Sequence, residues 1–599
     1  MTFGIVQLGH ALAYRLRKKE TESLDVMAAC IAAAGLIGAG LFVLAAVGLV
    51  WIPGVRALGW GLALLGLFWL WKWTPRFPVY WREFKLVFSG ATRIENAIIG
   101  VLCLIAIGLL GASLGPATDA DSLHYHLAAP LDWLRTGGIT ARSDWYHYRF
   151  AGVSHSLNML GVATGTDSFG AVLQFSGLVV AGVAGAQLAR KRADKLFMML
   201  LYVACPIVVA LTSTQKFQLL PAAATTTALV LAHVRRRRFD VPSIVLTFCC
   251  VAFAVGSKYF FTVSGALVVG YCFFAAHRTG NLRQAMIIAP VVFLALAGPL
   301  YITNMVLYGD PVWPLLDNIN SLPDQNLAGF VERGLRVASD TGAPATLPTD
   351  LVFPRHLGGL AQVLGVGTLV FVLGVRSKHV IASLLFLALA ASVLSYSLRT
   401  QFTARYFLEP YWWSVAATAR VEWTWRKRWL QNAMLAQAFV IGVLAVYGAS
   451  ILFPGALSGN LRERVLSEKA YGYSSAQWIN AQVRDTSAAF VVPGNVSYAH
   501  LSIPFYNFDG WNYVSGYASE DEVKNAVEEV ILELAKLNVD VMFAGYPADN
   551  PVVRYLSECY SDKPGITHDF SVVTRNPFNT GGKSIYQLLP IDLTKSACN

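Results

Sequence analysis

Residues 26–51, VMAACIAAAGLIGAGLFVLAAVGLVW, hold no charged side chain and exceed the roughly 20 apolar residues that a helix needs to cross a bilayer. Away from water, each backbone N–H and C=O in such a run must bond within it, which makes the run a helix. Twelve more stretches read the same way: 56–73, 97–115, 167–189, 196–212, 217–234, 241–256, 260–276, 284–307, 357–375, 379–397, 407–419 and 430–453. Either of the spans hinged near Gly256 and Pro410 also fits a re-entrant segment. With 55% hydrophobic and 14% charged residues among 599, the chain has more apolar surface than a soluble globule can hide. Abundant glycine, alanine, tryptophan and tyrosine suit helices packed through small residues and anchored at interfaces, rather than a β-barrel. The expected fold is an all-α polytopic membrane bundle of about 13 transmembrane helices, with a C-terminal extracytoplasmic α/β domain.

Lys and Arg accumulate on the cytoplasmic side of membrane proteins. RLRKK at 15–19, the 76–93 linker, RKRADK at 190–195, RRRR at 235–238, Arg278 with Arg283, RSK at 376–378 and RKR at 426–428 all fall in alternate loops. This alternation puts the N-terminus in the cytoplasm and places loops 116–166 and 308–356, with everything after residue 454, on the opposite side. Three units follow: 1–96, a cytoplasmic segment with two helices; 97–453, the main transmembrane module; and 454–599. The net charge of +11 is scattered in short clusters, which argues against nucleic acid as a partner. The start MTFGIVQLGHALAYRLRKKE shows no signal-peptide cleavage pattern, and no internal repeat is evident.

Beyond residue 454 charge rises and long apolar runs end. VKNAVEEVILELAKLN reads as an amphipathic helix, and VDVMFAG, AAFVVPG and SIYQLLP read as strands. Outside the cytoplasm, Cys559 and Cys598 could form a disulfide; two free thiols too far apart to bridge are the alternative. The six other cysteines lie in or beside apolar segments without metal-ligand spacing.

The chemistry concentrates in TDADSLHYHLAAPLDWLRTGG, Thr118 to Gly138, where the chain leaves the apolar run 97–115. Leu123, Leu127, Leu131 and Leu134 recur at helical spacing, so a surface helix with its leucines toward lipid is expected, ended by Gly137 and Gly138. Asp121 and Tyr125, four apart, would share a face. Asp119 and Asp121 each suit a helix N-cap, and His124 and His126 suit interfacial aromatics. Together at a membrane surface they point instead to a site, because ionisable groups there are costly unless used. Lys216, Lys258, Arg399 and Arg405 break the charge rule by sitting at extracytoplasmic helix ends. Each alone could snorkel to a headgroup; several converging on the acidic motif indicate a bound anion such as a phosphate. Cations would stabilise a phosphate leaving group, while a carboxylate takes a proton from an acceptor hydroxyl or holds a metal. A transporter, flippase or ligase for lipid-linked saccharides is the competing class, although transporters usually place ionisable groups near the midplane, where these spans have almost none.

These residues resemble the GT-C superfamily, polytopic glycosyltransferases that use lipid-phosphate-linked sugars, and especially its bacterial members similar to protein O-mannosyltransferases and lipid A aminoarabinose transferases. Asp121, Tyr125 and Gly137 are similar in spacing to that family's motif in the first extracytoplasmic loop. GSKYFF around Lys258, YGDPVWP at 308–314 and ARYFLEP at 404–410 look like further family segments. The resemblance implies a GT-C-like bundle in a bacterial inner membrane and a polyprenyl-phosphate sugar donor. It also implies a glycan, lipid or protein acceptor outside the cytoplasm, and inversion at the anomeric carbon. By the same resemblance Asp121 is the base, and Asp119 a second acid or, with Asp121, a divalent-metal ligand. Lys258 and Arg405, with Lys216 and Arg399, grip the phosphate. His124, Tyr125, His126, Tyr259 and Tyr406 shape the sugar or acceptor pocket, and loop 308–356 is a lid or a tether. Ser122 stands where many members have a second acid, which leaves the metal open, and two helices precede the usual first one.

Overall fold

Small residues set how closely the apolar helices approach. In the computed structural model, Gly108, Gly111 and Gly115 at the end of the helix Arg93–Leu114 meet Ala445, Ala449 and Leu452 of Arg426–Leu452; a Cβ on Gly108 would come within 2.6 Å of the Val446 nitrogen. Such glycine stripes let helix backbones touch where lipid supplies no hydrophobic drive. The structure describes the chain apart from residues 18–20, 77, 80–81, 83–88, 143, 313–346, 355–358, 361–362, 377–380, 382–383, 386, 390–391, 393–403, 420–425, 484–487, 492–494, 508–519, 537, 546–550, 562–563, 574–581 and 595–599.

Among the described residues six helices are long and apolar enough to cross a membrane: Ser23–Ala46, Ile52–Trp73, Arg93–Leu114, Phe169–Ala186, Tyr259–Arg278 and Arg428–Ala456. Leu282–Leu296 and Gly298–Tyr308 are together long and apolar enough for a seventh but are bent by 54° at the break between them; Pro299, at the start of the second helix, has no N–H to continue the first. The expected count of about 13 is therefore not reached by length and composition. Leu219–Arg235 and Val241–Ser257 are shorter, 196–212 is broken between Val203 and Ile207, and 379–397 lies largely outside the described residues. Trp60, Leu64, Trp71, Ile107, Leu294 and Val306 are exposed, as expected of surfaces that face lipid.

The first residues are helical as well. Thr2–Arg17 is a helix packed along the next two, with Gly4 against Leu62 and Gly9 against Cys30. Met1 and Thr164 both lie against Gly59, while Arg17 sits at the other end with Asp25. Only the Arg17 end thus lies with the basic clusters, where Arg17 also meets Asp240 and Arg235 meets Glu22 and Asp25. At the far end of Ser23–Ala46, Ala45 O accepts Ile139 N–H. A 24-residue helix is about 36 Å long, so the basic cluster and the acidic loop stand on opposite sides of the bundle.

The C-terminal unit is a five-stranded sheet in the order β2-β1-β3-β5-β4, with β1 Ala488–Val491, β2 Phe505–Asn507, β3 Val539–Gly545, β4 Ile566–Ser571 and β5 Lys583–Pro590. β1 is parallel to β2 and β3, and β5 is antiparallel to β3 and β4. The helix Glu520–Lys536 lies in the connection from β2 to β3, which crosses over β1 as parallel strands require, and its Val527, Val530 and Leu534 are buried with Phe490 and Met542. Three strands and the helix match the sequence reading; β2 and β4 were not expected. Cys559 is disulfide-bonded, and Cys598 lies outside the described residues.

Candidate active site

After Leu114 the chain turns at Gly115, where a Cβ would come within 2.6 Å of Leu452 O, and is pinned by Asp167 Oδ2 to Ala117 N–H at 3.1 Å and by Thr118 O to Tyr471 N–H at 3.1 Å. Asp119 then acts as a cap, its Oδ1 accepting Ser122 N–H at 3.0 Å. Ser122–His126 form one π-helical turn, closed by Leu127 N–H to Ser122 O at 2.9 Å. In an α-helix Tyr125 would return over Asp121; the wider turn places that return between Tyr125 and His126. Accordingly His126 is fully buried and Tyr125 half-buried. Ala128–Thr136 follows and ends at Gly137 with φ 82°, the left-handed cap that glycine suits. Its leucines do not face lipid: Leu123 and Leu127 pack on Leu466, Ala470 and Tyr473, and Leu134 is buried beside Trp133. Helical spacing gave the face correctly, and the C-terminal unit covers it.

Ser122 Oγ accepts Gln215 N–H at 2.8 Å, which brings the 213–218 loop onto the turn and sets Lys216 beside it. Lys216 Nζ pairs with Asp121 Oδ2, and Arg405, from the turn Ala404–Phe407, lies 3.7 Å from the same oxygen. Three distant segments thus meet at one carboxylate. Burial alone would raise the Asp121 pKa, but Lys216, then Arg405 and His147, outweigh it and hold it well below the usual carboxylate range. Its side chain keeps 43% of its surface exposed whereas Lys216 keeps 11%, so the carboxylate has an open side and the ammonium does not. Burial, then the Arg405 charge, lower the Lys216 pKa, with Asp121 opposing.

The other expected residues sort around this pair. Tyr125 stacks on His147 with centroids 5.0 Å apart. His124 stacks at 4.1 Å on Tyr498 of the C-terminal unit, which ties that unit to the loop, as do Arg142 to Phe505 O at 3.0 Å and Asp144 to Asn507 N–H at 2.7 Å. The Lys258 charge opposes protonation of His126 and His155. Tyr259 turns aside to accept a hydrogen bond from Asn304, and Tyr406 is buried with the Arg405 guanidinium 5.3 Å above its ring. Arg399 and most of loop 308–356 lie outside the described residues. His147 and His155 were missed: both sit in the same loop, in WYHYRF and GVSHS, and a lone histidine has no spacing signature.

Among the described residues no three His, Cys, Asp or Glu side chains are grouped to hold a metal ion. Asp119 is engaged as a cap and Asp121 by two cations, so the pair does not fit a divalent metal.

No curated protein matches the chain in sequence. In three dimensions it is similar to ArnT from Cupriavidus metallidurans. Against the form bound to undecaprenyl phosphate the TM-score is 0.47 at 10% identity; against the apo form it is 0.48 at 12%, and in both cases 82% of this chain and 97% of that one are covered. Residues 79–466 match the DUF1420 N-terminal domain. That match takes in Asp121, Lys216, Lys258 and Arg405 and most of the chain, which therefore belongs to the DUF1420 family.

Proposed function

We propose that this protein is a membrane glycosyltransferase that moves a sugar from a polyprenyl-phosphate donor to an extracytoplasmic acceptor, inverting the anomeric carbon. The observation that carries the reading is the meeting of Asp121 with Lys216 and Arg405 at the end of the bundle opposite its basic cluster. When the bond between anomeric carbon and phosphate oxygen breaks, negative charge grows on the phosphate, and fixed cations there lower the barrier. Before the donor binds, those cations hold Asp121 as a weak base. A phosphate that takes a share of Lys216 and Arg405 relieves this hold, and the carboxylate regains proton affinity. It then accepts the proton of the attacking hydroxyl from its open side, while the sugar passes to that hydroxyl and the lipid phosphate leaves. His124, Tyr125 and His147 flank the approach. Residues 97–453 are the catalytic module in this reading, and 454–599 a unit that braces the loop.

A deletion strain is expected to lose one sugar from a surface glycan, glycolipid or glycoprotein and to accumulate its lipid-linked donor. Unchanged glycans with an unchanged donor pool would refute the reading.

The lowered Lys216 pKa gives a pH signature. The grip requires the ammonium, so activity should decline on the alkaline side at a pH below that at which a free lysine titrates. Lys216→Arg should move this limb upward; a limb that stays in place belongs to another group.

A further inference from the structure

Two histidines form a buried pair behind Asp121. The backbone N–H of Gly152 donates to His155 Nδ1 at 3.0 Å. His155 Nε2 lies 2.5 Å from His126 Nδ1, with ring planes within 13°. Both rings are fully buried. Burial, and then the Lys258 charge, push the His155 pKa down to about 3; His126 is likewise lowered by burial and by the charges of His155, Lys258, Lys216 and Arg405. Both are therefore neutral, and one donor fixes both tautomers. Gly152 occupies the lone pair of His155 Nδ1, so the His155 proton is on Nε2 and is donated to His126 Nδ1. The proton of His126 is then on Nε2. Among the described residues that Nε2 atom has no hydrogen-bond partner, although it is buried. A buried N–H without an acceptor is destabilising and rare, and this one stands in the combined field of Lys216, Lys258 and Arg405.

We propose that the Gly152–His155–His126 chain presents His126 Nε2–H to an oxygen of the donor's phosphate group, with His126 as a phosphate-binding residue and His155 as the positioning residue behind it. This rests on the glycosyltransferase reading and moves His126 from the sugar or acceptor pocket to the phosphate. The charge pattern favours an anionic oxygen: a fourth cation would be repelled by the other three, whereas a neutral imidazole adds a directed hydrogen bond without adding charge. Gly152 suits its role because it is pressed against the backbone of Gly256 and Ser257, where a Cβ would come within 2.4 Å of Gly256 O. That contact also sets the histidine pair beside Lys258.

The test uses full-length protein in detergent, with farnesyl phosphate as the probe and farnesol as the control for the lipid chain, both titrated by calorimetry. His126→Phe keeps the ring volume but has no N–H, and should bind farnesyl phosphate about tenfold more weakly with its response to farnesol unchanged. His126→Gln, whose amide N–H reaches a similar position, should recover most of the loss. Nitrogen-15 histidine spectra should show His126 protonated at Nε2 in the wild type and losing that preference in His155→Leu, a signature that loss of packing alone would not produce. Wild-type affinity in His126→Phe, or equal weakness of the Phe and Gln variants when both melt cooperatively, overturns the assignment. Lys216→Met with Arg405→Gln separates the two ideas. If that double variant binds farnesyl phosphate like the wild type, the phosphate site itself is refuted; if it loses binding while His126→Phe keeps it, only the role of the histidines falls.

Discussion

Asp121→Asn is expected to cut sugar transfer by about 10²–10⁴-fold, the usual contribution of a positioned general base, while binding of the lipid phosphate becomes tighter. The two effects have one cause. Asparagine keeps the shape and one acceptor oxygen of the side chain but carries no charge and cannot take a proton. Lys216 and Arg405 then lose the carboxylate that occupies them, and a phosphate no longer competes with it. The Lys216 ammonium also loses the carboxylate whose charge and hydrogen bond raise its pKa, so the alkaline limb should move further down in this variant. A merely structural Asp121 would lower rate and affinity together. Single-turnover transfer from a labelled donor, beside titration with the product lipid phosphate, reads both quantities. An Asp121→Asn protein that is folded and fully active would remove the carboxylate from the chemistry.

The site was legible where residues broke a rule that the rest of the chain obeys. Asp121 is an acid at the end of an apolar run, and Lys216 and Arg405 are cations on the side where cations are scarce; the structure brings these three together. What the sequence could not show was geometry that depends on partners. The π-helical turn sits where Ser122 Oγ receives Gln215 N–H from 93 residues away, and no local pattern encodes such a bond. Leucine spacing identified a buried face but not its cover, since a helix that faces lipid and one that faces Leu466 and Tyr473 read alike. The helix Thr2–Arg17 packs through single glycines rather than an apolar stripe, so its mixed sequence looked like a tail. Strand β2 has three residues and β4 is exposed at five of six positions, too short and too polar to register. Spans were read from apolar length, and that measure does not show where a run is broken, as at Pro206, or bent, as at Pro299.

At the opposite end of the bundle, Asp25→Ala is expected to destabilise the protein by about 3–5 kcal/mol, the range for removing one partner of a buried ion pair. Asp25 is fully buried; its Oδ1 accepts Arg17 Nε–H at 3.1 Å and its Oδ2 accepts from Arg235 at 3.0 Å. Arg17, itself 4% exposed, also meets Asp240 and Ser243. The cluster therefore joins the helices Thr2–Arg17 and Ser23–Ala46 to Leu219–Arg235 and Val241–Ser257, the two helices flanked by Lys216 and Lys258 at their other ends. Without Asp25, the Arg17 and Arg235 guanidinium groups repel each other with much of their hydration already lost. Glu22→Ala removes only the exposed carboxylate from the same network and should change stability by at most about 1 kcal/mol. Replacing both charges, Arg17→Met with Asp25→Leu, should recover part of the loss, because no unpaired charge is then left between those two positions. Thermal unfolding in one detergent compares the four proteins. Since about 36 Å of helix separates this cluster from Asp121, phosphate affinity at a temperature where every variant is folded should be unchanged. A melting temperature for Asp25→Ala equal to the wild type would mean that the two N-terminal helices are held by their glycine contacts alone, and that the buried charges at this end hold nothing.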